Sequence, residues 1–73
     1  MQRIIIDKNI RHGKPVIRGT RVPVDLVLGS LAGGMSYEEI CQEYEIEIDD
    51  IRAAIEYARR IVANEEIHML EAV

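Results

Sequence analysis

The residues best suited to chemistry are cations in the first third of the chain. Lys14, Arg18 and Arg21 lie close together with Thr20 among them, and Arg52 follows in a later helical segment. Ammonium, guanidinium and hydroxyl groups donate hydrogen bonds to phosphate oxygens, so these five are candidate nucleic-acid-binding residues. The same groups suit acidic side chains of this domain or of a second copy, and the sequence leaves both interpretations open.

Charge is unevenly distributed along the 73 residues, whose net charge is -4. Residues 1–34 carry six basic and two acidic side chains, whereas residues 35–73 carry three basic and eleven acidic ones. A basic segment beside an acidic one predicts an arm for an acidic partner, either nucleic acid or the acidic half of a second copy. An ordinary solvated surface is the third interpretation of the same split.

Catalysis and cofactor binding find little support in the sequence. The segment Gly13-Lys14-Pro15 lacks the spaced second glycine and the following hydroxyl residue of a phosphate-binding Walker loop. A single cysteine, Cys41, and two separated histidines, His12 and His68, provide neither a disulfide nor a structural zinc site. We therefore expect no enzymatic activity, no cofactor, no metal and no small-molecule substrate.

The apolar segments are too short for a membrane span or a signal peptide. None approaches the ~18 apolar residues of a membrane span, and the stretch after Arg3 ends at Asp7, too soon for a signal peptide. One unpaired thiol fits a reducing compartment. We expect a cytoplasmic protein without membrane contact.

Two short strands are predicted at the N-terminus. The β-branched run Arg3–Ile6 is typical of a strand, and Asp7–Gly13 is a polar loop that ends in glycine. The segment Lys14–Ile17 is extended, because proline disfavours helix in the residue before it. Two strands are marginal in water on their own, so this arm needs a helical layer.

The first of three predicted helices follows the arm. Pro23 suits the first helical position, because its backbone angle is preset and its missing N–H needs no partner there. An apolar face at helical spacing follows, made of Val24, Val27, Leu28 and Leu31. Gly33 is expected to take the left-handed conformation that ends this helix.

Two further helices are predicted in the acidic half of the chain. Ser36 and Glu39 indicate a capping box that opens a short second helix through about Glu43. After a turn at Tyr44–Glu47, a third helix begins near Ile48. Its apolar stripe consists of Ile51, Ala54, Ile55, Ala58 and Val62. A short helix, a turn and a longer helix have the outline of a helix-turn-helix.

The expected fold is mainly α, a short β arm followed by a three-helix bundle in one domain. We place the arm at residues 1–22, the bundle at 23–65 and a C-terminal tail at 66–73. A core of this size rarely supplies more than ~3–5 kcal/mol, so we expect a homodimer.

The tail carries apolar residues that are candidates for partner binding, Ile67, Met69 and Leu70. They complete the core, form a dimer seam or dock a partner protein; the size argument favours the dimer seam. Whether the tail is helix or strand stays open at this point.

The chain resembles family 433 of the domains of unknown function. The most specific block is Gly13-Lys14-Pro15-Val16-Ile17-Arg18-Gly19-Thr20-Arg21-Val22-Pro23-Val24, and a second one is Asp50-Ile51-Arg52-Ala53-Ala54-Ile55-Glu56-Tyr57-Ala58. Between them the similarity continues at Leu28, Leu31, Ala32, Gly34, Ser36, Glu38, Glu39, Ile40 and Tyr44. Many members have threonine where this chain has Glu47, a poor helix cap.

The resemblance implies a homeodomain-like helix-turn-helix fold and a role as the antitoxin of a type II pair. Such an antitoxin binds and neutralises a toxin with a PIN-like ribonuclease fold. The alternative is a DNA-binding regulator that uses the basic arm and the third helix as a dimer on operator DNA. Asp49 and Asp50 at the start of that helix would repel phosphates, which argues against ordinary major-groove readout.

Overall fold

The computed structural model describes residues 2–72, with side chains for residues 2–64. Its elements in chain order are β1 (Ile4–Ile6), β2 (Pro15–Ile17), α1 (Val24–Ala32), α2 (Tyr37–Tyr44) and α3 (Ile48–Ala72). Three helices with a short antiparallel N-terminal sheet confirm the predicted fold class. None of the helices described combines the length and the apolar character needed to cross a bilayer.

The strands β1 and β2 pair in one register. Ile4 lies opposite Ile17, Ile5 opposite Val16 and Ile6 opposite Pro15. The far side of β2 meets the segment before α1, where Val16 bridges Pro23 and the Ile17 N–H donates to the Val22 carbonyl at 2.9 Å. The strand β2 is therefore paired along both edges, and β1 along one.

Both ends of α1 differ by one residue from the prediction. Pro23 has an extended backbone and precedes the helix, which begins at Val24. The left-handed residue at the other end is Gly34, with φ 100°, whereas Gly33 has φ -78°, so the prediction for Gly33 is wrong. The reason is the closing pattern, in which the Met35 N–H reaches back to the Ser30 carbonyl at 3.0 Å and requires the intervening Gly34 to be left-handed.

The capping box of α2 is confirmed. The Ser36 N–H donates to Glu39 Oε1 at 2.8 Å, and the Glu39 N–H donates to Ser36 Oγ at 3.1 Å. Hydrogen bonding from the Ser36 backbone, and then from the Ser36 side chain, lowers the pKa of the Glu39 carboxyl. The helix ends at Tyr44, and Glu45 takes a left-handed conformation with φ 55°.

An ion-pair cluster joins the arm to the start of α3. Arg3 Nη1 lies 2.9 Å from Asp50 Oδ1 and 3.2 Å from Glu47 Oε1. The hydrogen bonds to Asp50 and then to Glu47 raise the pKa of the Arg3 guanidinium. Asp50 Oδ2 also accepts the Glu47 N–H at 2.9 Å, so the third residue of α3 supplies the cap that Glu47 was expected to provide poorly.

The core is aliphatic and lies between the sheet and the three helices. Its buried members are Ile4, Ile17, Val24, Val27, Ile40, Ile46, Ile51 and Ala54. The predicted α3 stripe is only partly buried, because Ile55 is 37% exposed and Val62 is 50% exposed. Ile55 lies about 100° round the helix from Ala54, outside the buried face.

The helix α3 continues past the core to Ala72. The backbone of the tail, left open between helix and strand in the sequence analysis, is helical through Ala72. The side chains of Ile67, Met69 and Leu70 lie outside the described residues, so their predicted role in partner binding stays a prediction.

The buried and exposed faces of α3 predict different costs for the same substitution. Ile51→Val deletes a methyl group from a fully buried site and should lower the free energy of unfolding by about 0.5–1.5 kcal/mol. Ile55→Val, one turn further, should change it by less than about 0.5 kcal/mol. Urea unfolding of the two variants measures this difference, and equal losses would contradict the assignment of the buried face.

Candidate binding surfaces

A basic cleft of about 530 Å³ lies at the loop between β1 and β2. Its lining residues are polar or cationic: Lys8, Asn9, Arg11, His12, Lys14 and Arg21. We call this group the basic cleft. Two of the predicted nucleic-acid-binding residues, Lys14 and Arg21, meet there. A cleft with four full positive charges in a chain of net charge -4 is a suitable site for an anion.

The backbone that builds the basic cleft is left-handed over three successive residues. Arg11, His12 and Gly13 have φ values of 52°, 57° and 81°. Asp7 anchors the approach to this turn, because its Oδ1 accepts the Asn9 N–H at 2.8 Å. Left-handed backbone costs a non-glycine residue roughly 1–2 kcal/mol, and such strain is often found at functional sites.

The charges of the cleft are open to a ligand. Across residues 2–64, Lys14 is the one lining cation within ion-pair distance of a carboxylate, Asp25 Oδ2 at 3.4 Å. Both side chains of this pair are well exposed, at 61% and 69%, and exposed pairs contribute little to stability. An incoming phosphate would therefore have to displace only the weak ion pair between Lys14 and Asp25.

Thr20, another predicted nucleic-acid-binding residue, holds a tight turn. Gly19 has φ 81°, and the Thr20 N–H donates to the Ile17 carbonyl at 3.1 Å, as in a type II turn. The Thr20 hydroxyl donates to the same carbonyl at 2.7 Å and accepts the Val22 N–H at 3.0 Å. Because its proton is used within the turn, this hydroxyl positions the loop rather than facing a ligand.

Arg18 lies apart from the basic cleft. It lines a different cavity of about 620 Å³ together with Arg3, Glu47 and Asp50. Its Nη1 donates to the Gln2 carbonyl at 3.4 Å. The two carboxylates in this cavity offset its positive charge, which makes it a poorer phosphate site than the basic cleft.

The arginines of α3 are accompanied by acids. Arg52, the last of the five predicted residues, has its Nη1 3.7 Å from Asp49 Oδ1. Arg59 and Arg60 both reach Glu56 Oε2, at 2.8 Å and 3.0 Å. Three acids therefore balance three arginines over residues 48–64, and Arg59 and Arg60 share a single carboxylate.

Sequence analysis missed three members of the basic cleft, Lys8, Asn9 and His12, and noted Arg11 only as a cation upstream of the candidate residues. They lie in the segment interpreted as a simple polar loop. The sequence signal available was the glycine at position 13, which closes the loop. In the structure Gly13 has a φ of 81° and continues the left-handed turn. Nothing in the side chains of Arg11 and His12 indicates a left-handed backbone, so the clustering was not visible in the sequence.

An apolar groove of about 310 Å³ lies between β2, α1 and α3. Its apolar lining consists of Pro15, Val24, Leu28, Tyr57, Ala58, Ile61 and Val62, with Lys14 and Asp25 also present. Ile61 is 44% exposed and Val62 is 50% exposed. This apolar groove therefore leaves branched aliphatic side chains in contact with water.

With both surfaces defined, the chain can be compared with known proteins. Residues 4–58 match the family model described as "Protein of unknown function (DUF433)". This chain belongs to the DUF433 family. The match spans the arm, α1, α2 and the first half of α3, so it includes both the basic cleft and most of the apolar groove.

Two crystal structures resemble this DUF433 chain. A DUF433 member from Anabaena variabilis has a TM-score of 0.78 at 26% identity, over 100% of this chain and 71% of that one. Rv2018 from Mycobacterium tuberculosis has a TM-score of 0.66 at 31% identity, over 71% of this chain. The match covers only 24% of Rv2018, about a quarter of that protein. An uncharacterized protein of Archaeoglobus fulgidus is 56% identical over 25 residues, 34% of this chain and 69% of that protein.

The Glu56 cluster predicts a pH dependence. Hydrogen bonds from Arg59 and Arg60 lower the Glu56 pKa from 4.5 to about 2. A lowered folded-state pKa stabilises α3 fully above pH 4.5, and this contribution is lost as the pH falls through about 2. Carboxyl-carbon NMR titration of Glu56 should give the low value, and Arg59→Gln with Arg60→Gln should return it to about 4.5. A wild-type value near 4.5 would show that the pairs do not form in solution.

Proposed function

We propose that this DUF433 chain is an antitoxin that binds and neutralises a PIN-like ribonuclease toxin. The observation that carries the proposal is the apolar groove between β2, α1 and α3. The groove offers a mostly apolar binding surface, which suits a protein that acts by covering another. The family resemblance supplies the class of partner.

The groove has the physical properties of a protein-binding surface. Its floor is formed by α1 and α3, and the exposed Ile61 and Val62 project from the second of these helices. Exposed apolar patches on small proteins are typical of interaction sites, because covering them removes the unfavourable contact with water. A few aliphatic or aromatic side chains usually supply most of the affinity, and Tyr57 and Ile61 of the groove lining are the candidates here.

Charge supports the same partner. Eleven of the thirteen acids lie in residues 35–73, which include all of α2 and α3. A ribonuclease that binds the phosphates of RNA presents a basic cleft of its own. The acidic helices complement such a cleft, while the apolar groove supplies affinity that salt does not screen.

The test uses a purified PIN-like ribonuclease from the same genome and a fluorescent RNA substrate. The wild-type chain should inhibit cleavage at stoichiometric ratios. Ile61→Asp places a charge in the groove and should weaken inhibition at least tenfold, about 1.4 kcal/mol. The matched control is Ile48→Asp, because Ile48 is 43% exposed, as Ile61 is 44% exposed, and it lies outside the groove.

Two results would contradict the antitoxin proposal. One is undiminished cleavage in the presence of excess wild-type chain. The other is equal inhibition by the Ile61→Asp and Ile48→Asp variants, which would place the interface elsewhere on the molecule. Circular dichroism of each variant checks that it is folded.

A second candidate function, DNA-binding regulation, is favoured by the basic cleft. Its cations lie on the loop and arm rather than on α3, so binding through it would depend on phosphates more than on bases. In this mode the chain would recognise the shape and charge of a duplex. Binding should be strongly salt-dependent.

Salt titrations of duplex binding test this second function. In fluorescence anisotropy, Arg11→Gln and Arg21→Gln should each reduce the slope of log affinity against log salt by about one. The control Arg60→Gln removes a cation already paired with Glu56 and should leave the slope unchanged. An unchanged slope in the two cleft variants, or a salt-independent affinity, would contradict a role for the cleft.

A further inference from the structure

The outer edge of β1 carries backbone groups whose direction is fixed by the sheet. In an antiparallel pair, successive residues point their N–H and C=O groups alternately toward and away from the partner strand. The Arg18 N–H donates to the Arg3 carbonyl at 2.7 Å, whereas the Ile17 N–H turns away to Val22. Ile5 therefore pairs inward with Val16, and Ile4 and Ile6 direct their polar backbone groups to the open edge.

The open edge is also apolar. Ile6 is 62% exposed, the highest value among the large hydrophobic residues for which burial is described. A groove of about 370 Å³ follows this edge, lined by Gln2, Ile4, Ile5, Ile6 and Tyr57. Unpaired edge strands recruit further strands, and proteins usually blunt them with charge or proline. Neither lies between Ile4 and Ile6.

We propose that β1 pairs antiparallel with β1 of a second copy, giving a continuous four-stranded sheet in a symmetric dimer. The two-fold axis passes beside Ile5, so that Ile5 faces the partner subunit's Ile5. Ile4 and Ile6 then exchange backbone hydrogen bonds with the partner subunit's Ile6 and Ile4. Because these are the residues whose N–H and C=O point outward, this register satisfies four hydrogen bonds at the dimer edge.

The charges that flank β1 agree with this register. Arg3 precedes the strand and Asp7 follows it, so centring on Ile5 places Arg3 beside the partner subunit's Asp7 at each end. The Arg3 side chain is 38% exposed and keeps its contact with Asp50 on the inner side. A sequence of cation, three isoleucines and acid is self-complementary only when the two copies run antiparallel.

Covering this edge also compensates for the small size of the domain. Two strands alone are marginal in water, and four strands over a helical layer are not. The exposed Ile6 becomes a cross-strand neighbour of the partner subunit's Ile4 and gains the apolar contacts it lacks in one copy. The apolar groove and the basic cleft are lined by other residues, apart from Tyr57, and remain open in this dimer.

The first test is the mass of the chain in solution. Sedimentation equilibrium over a dilution series should give a dimer for the wild-type chain. Ile6→Lys should raise the dissociation constant at least tenfold, because it places two like charges across the seam. Leu26→Lys is the matched control, since Leu26 is 41% exposed but lies on α1, and it should remain dimeric.

A cysteine scan then tests the register in a Cys41→Ser background. Ile5→Cys should form an intermolecular disulfide on mild oxidation, because facing residues in a non-hydrogen-bonded pair lie about 4.5 Å apart at Cα. Ile6→Cys should cross-link poorly, since the two copies of that residue would lie about 8 Å apart. A monomeric wild-type chain, a dimer insensitive to Ile6→Lys, or faster cross-linking at position 6 than at position 5 would overturn the proposal.

Discussion

The contact between Arg3 and Asp50 fixes the geometry on which the other surfaces depend. It joins the residue before β1 to the first turn of α3 at 2.9 Å, while the other Asp50 oxygen accepts the Glu47 N–H. A two-stranded sheet has little stability of its own, so this link and the buried Ile4 hold the arm on the helices. With β1 in place, β2 follows by pairing, the loop between them forms the basic cleft, and β2 lies beside α1 and α3 to complete the apolar groove.

Features that depend on near neighbours in the chain were predictable from sequence. Ser36 and Glu39 identify their capping box because both partners lie within one turn of helix. The contact of Asp50 with Arg3 was not predictable, because these two residues lie 47 positions apart. The left-handed residue predicted at the end of α1 was placed one residue early, at Gly33, whereas Gly34 takes that conformation. At Arg11, His12 and Glu45 the conformation is imposed by the surrounding loops and leaves no trace in residue type.

Only part of the basic cleft was predictable, again because the fold and not the sequence order decides which residues meet. Lys14 and Arg21 share the basic cleft, but Arg18, three residues from Arg21, lies in another cavity because the turn at Gly19 separates them. Counting cations along the chain cannot reveal that division. Nor does it reveal that Arg59 and Arg60 share the carboxylate of Glu56. The basic cleft thus lies on the loop, apart from the apolar groove between β2, α1 and α3.

We propose that the apolar groove serves a protein partner and that the basic cleft serves a nucleic acid. Amide chemical-shift mapping of the labelled chain, titrated first with a PIN-like ribonuclease and then with a DNA duplex, distinguishes the two surfaces. The ribonuclease should shift the amides of Leu28, Ala58 and Val62, and the duplex should shift those of Lys8 and Arg11. Ribonuclease shifts centred on Lys8 and Arg11, or duplex shifts centred on α3, would contradict the claim.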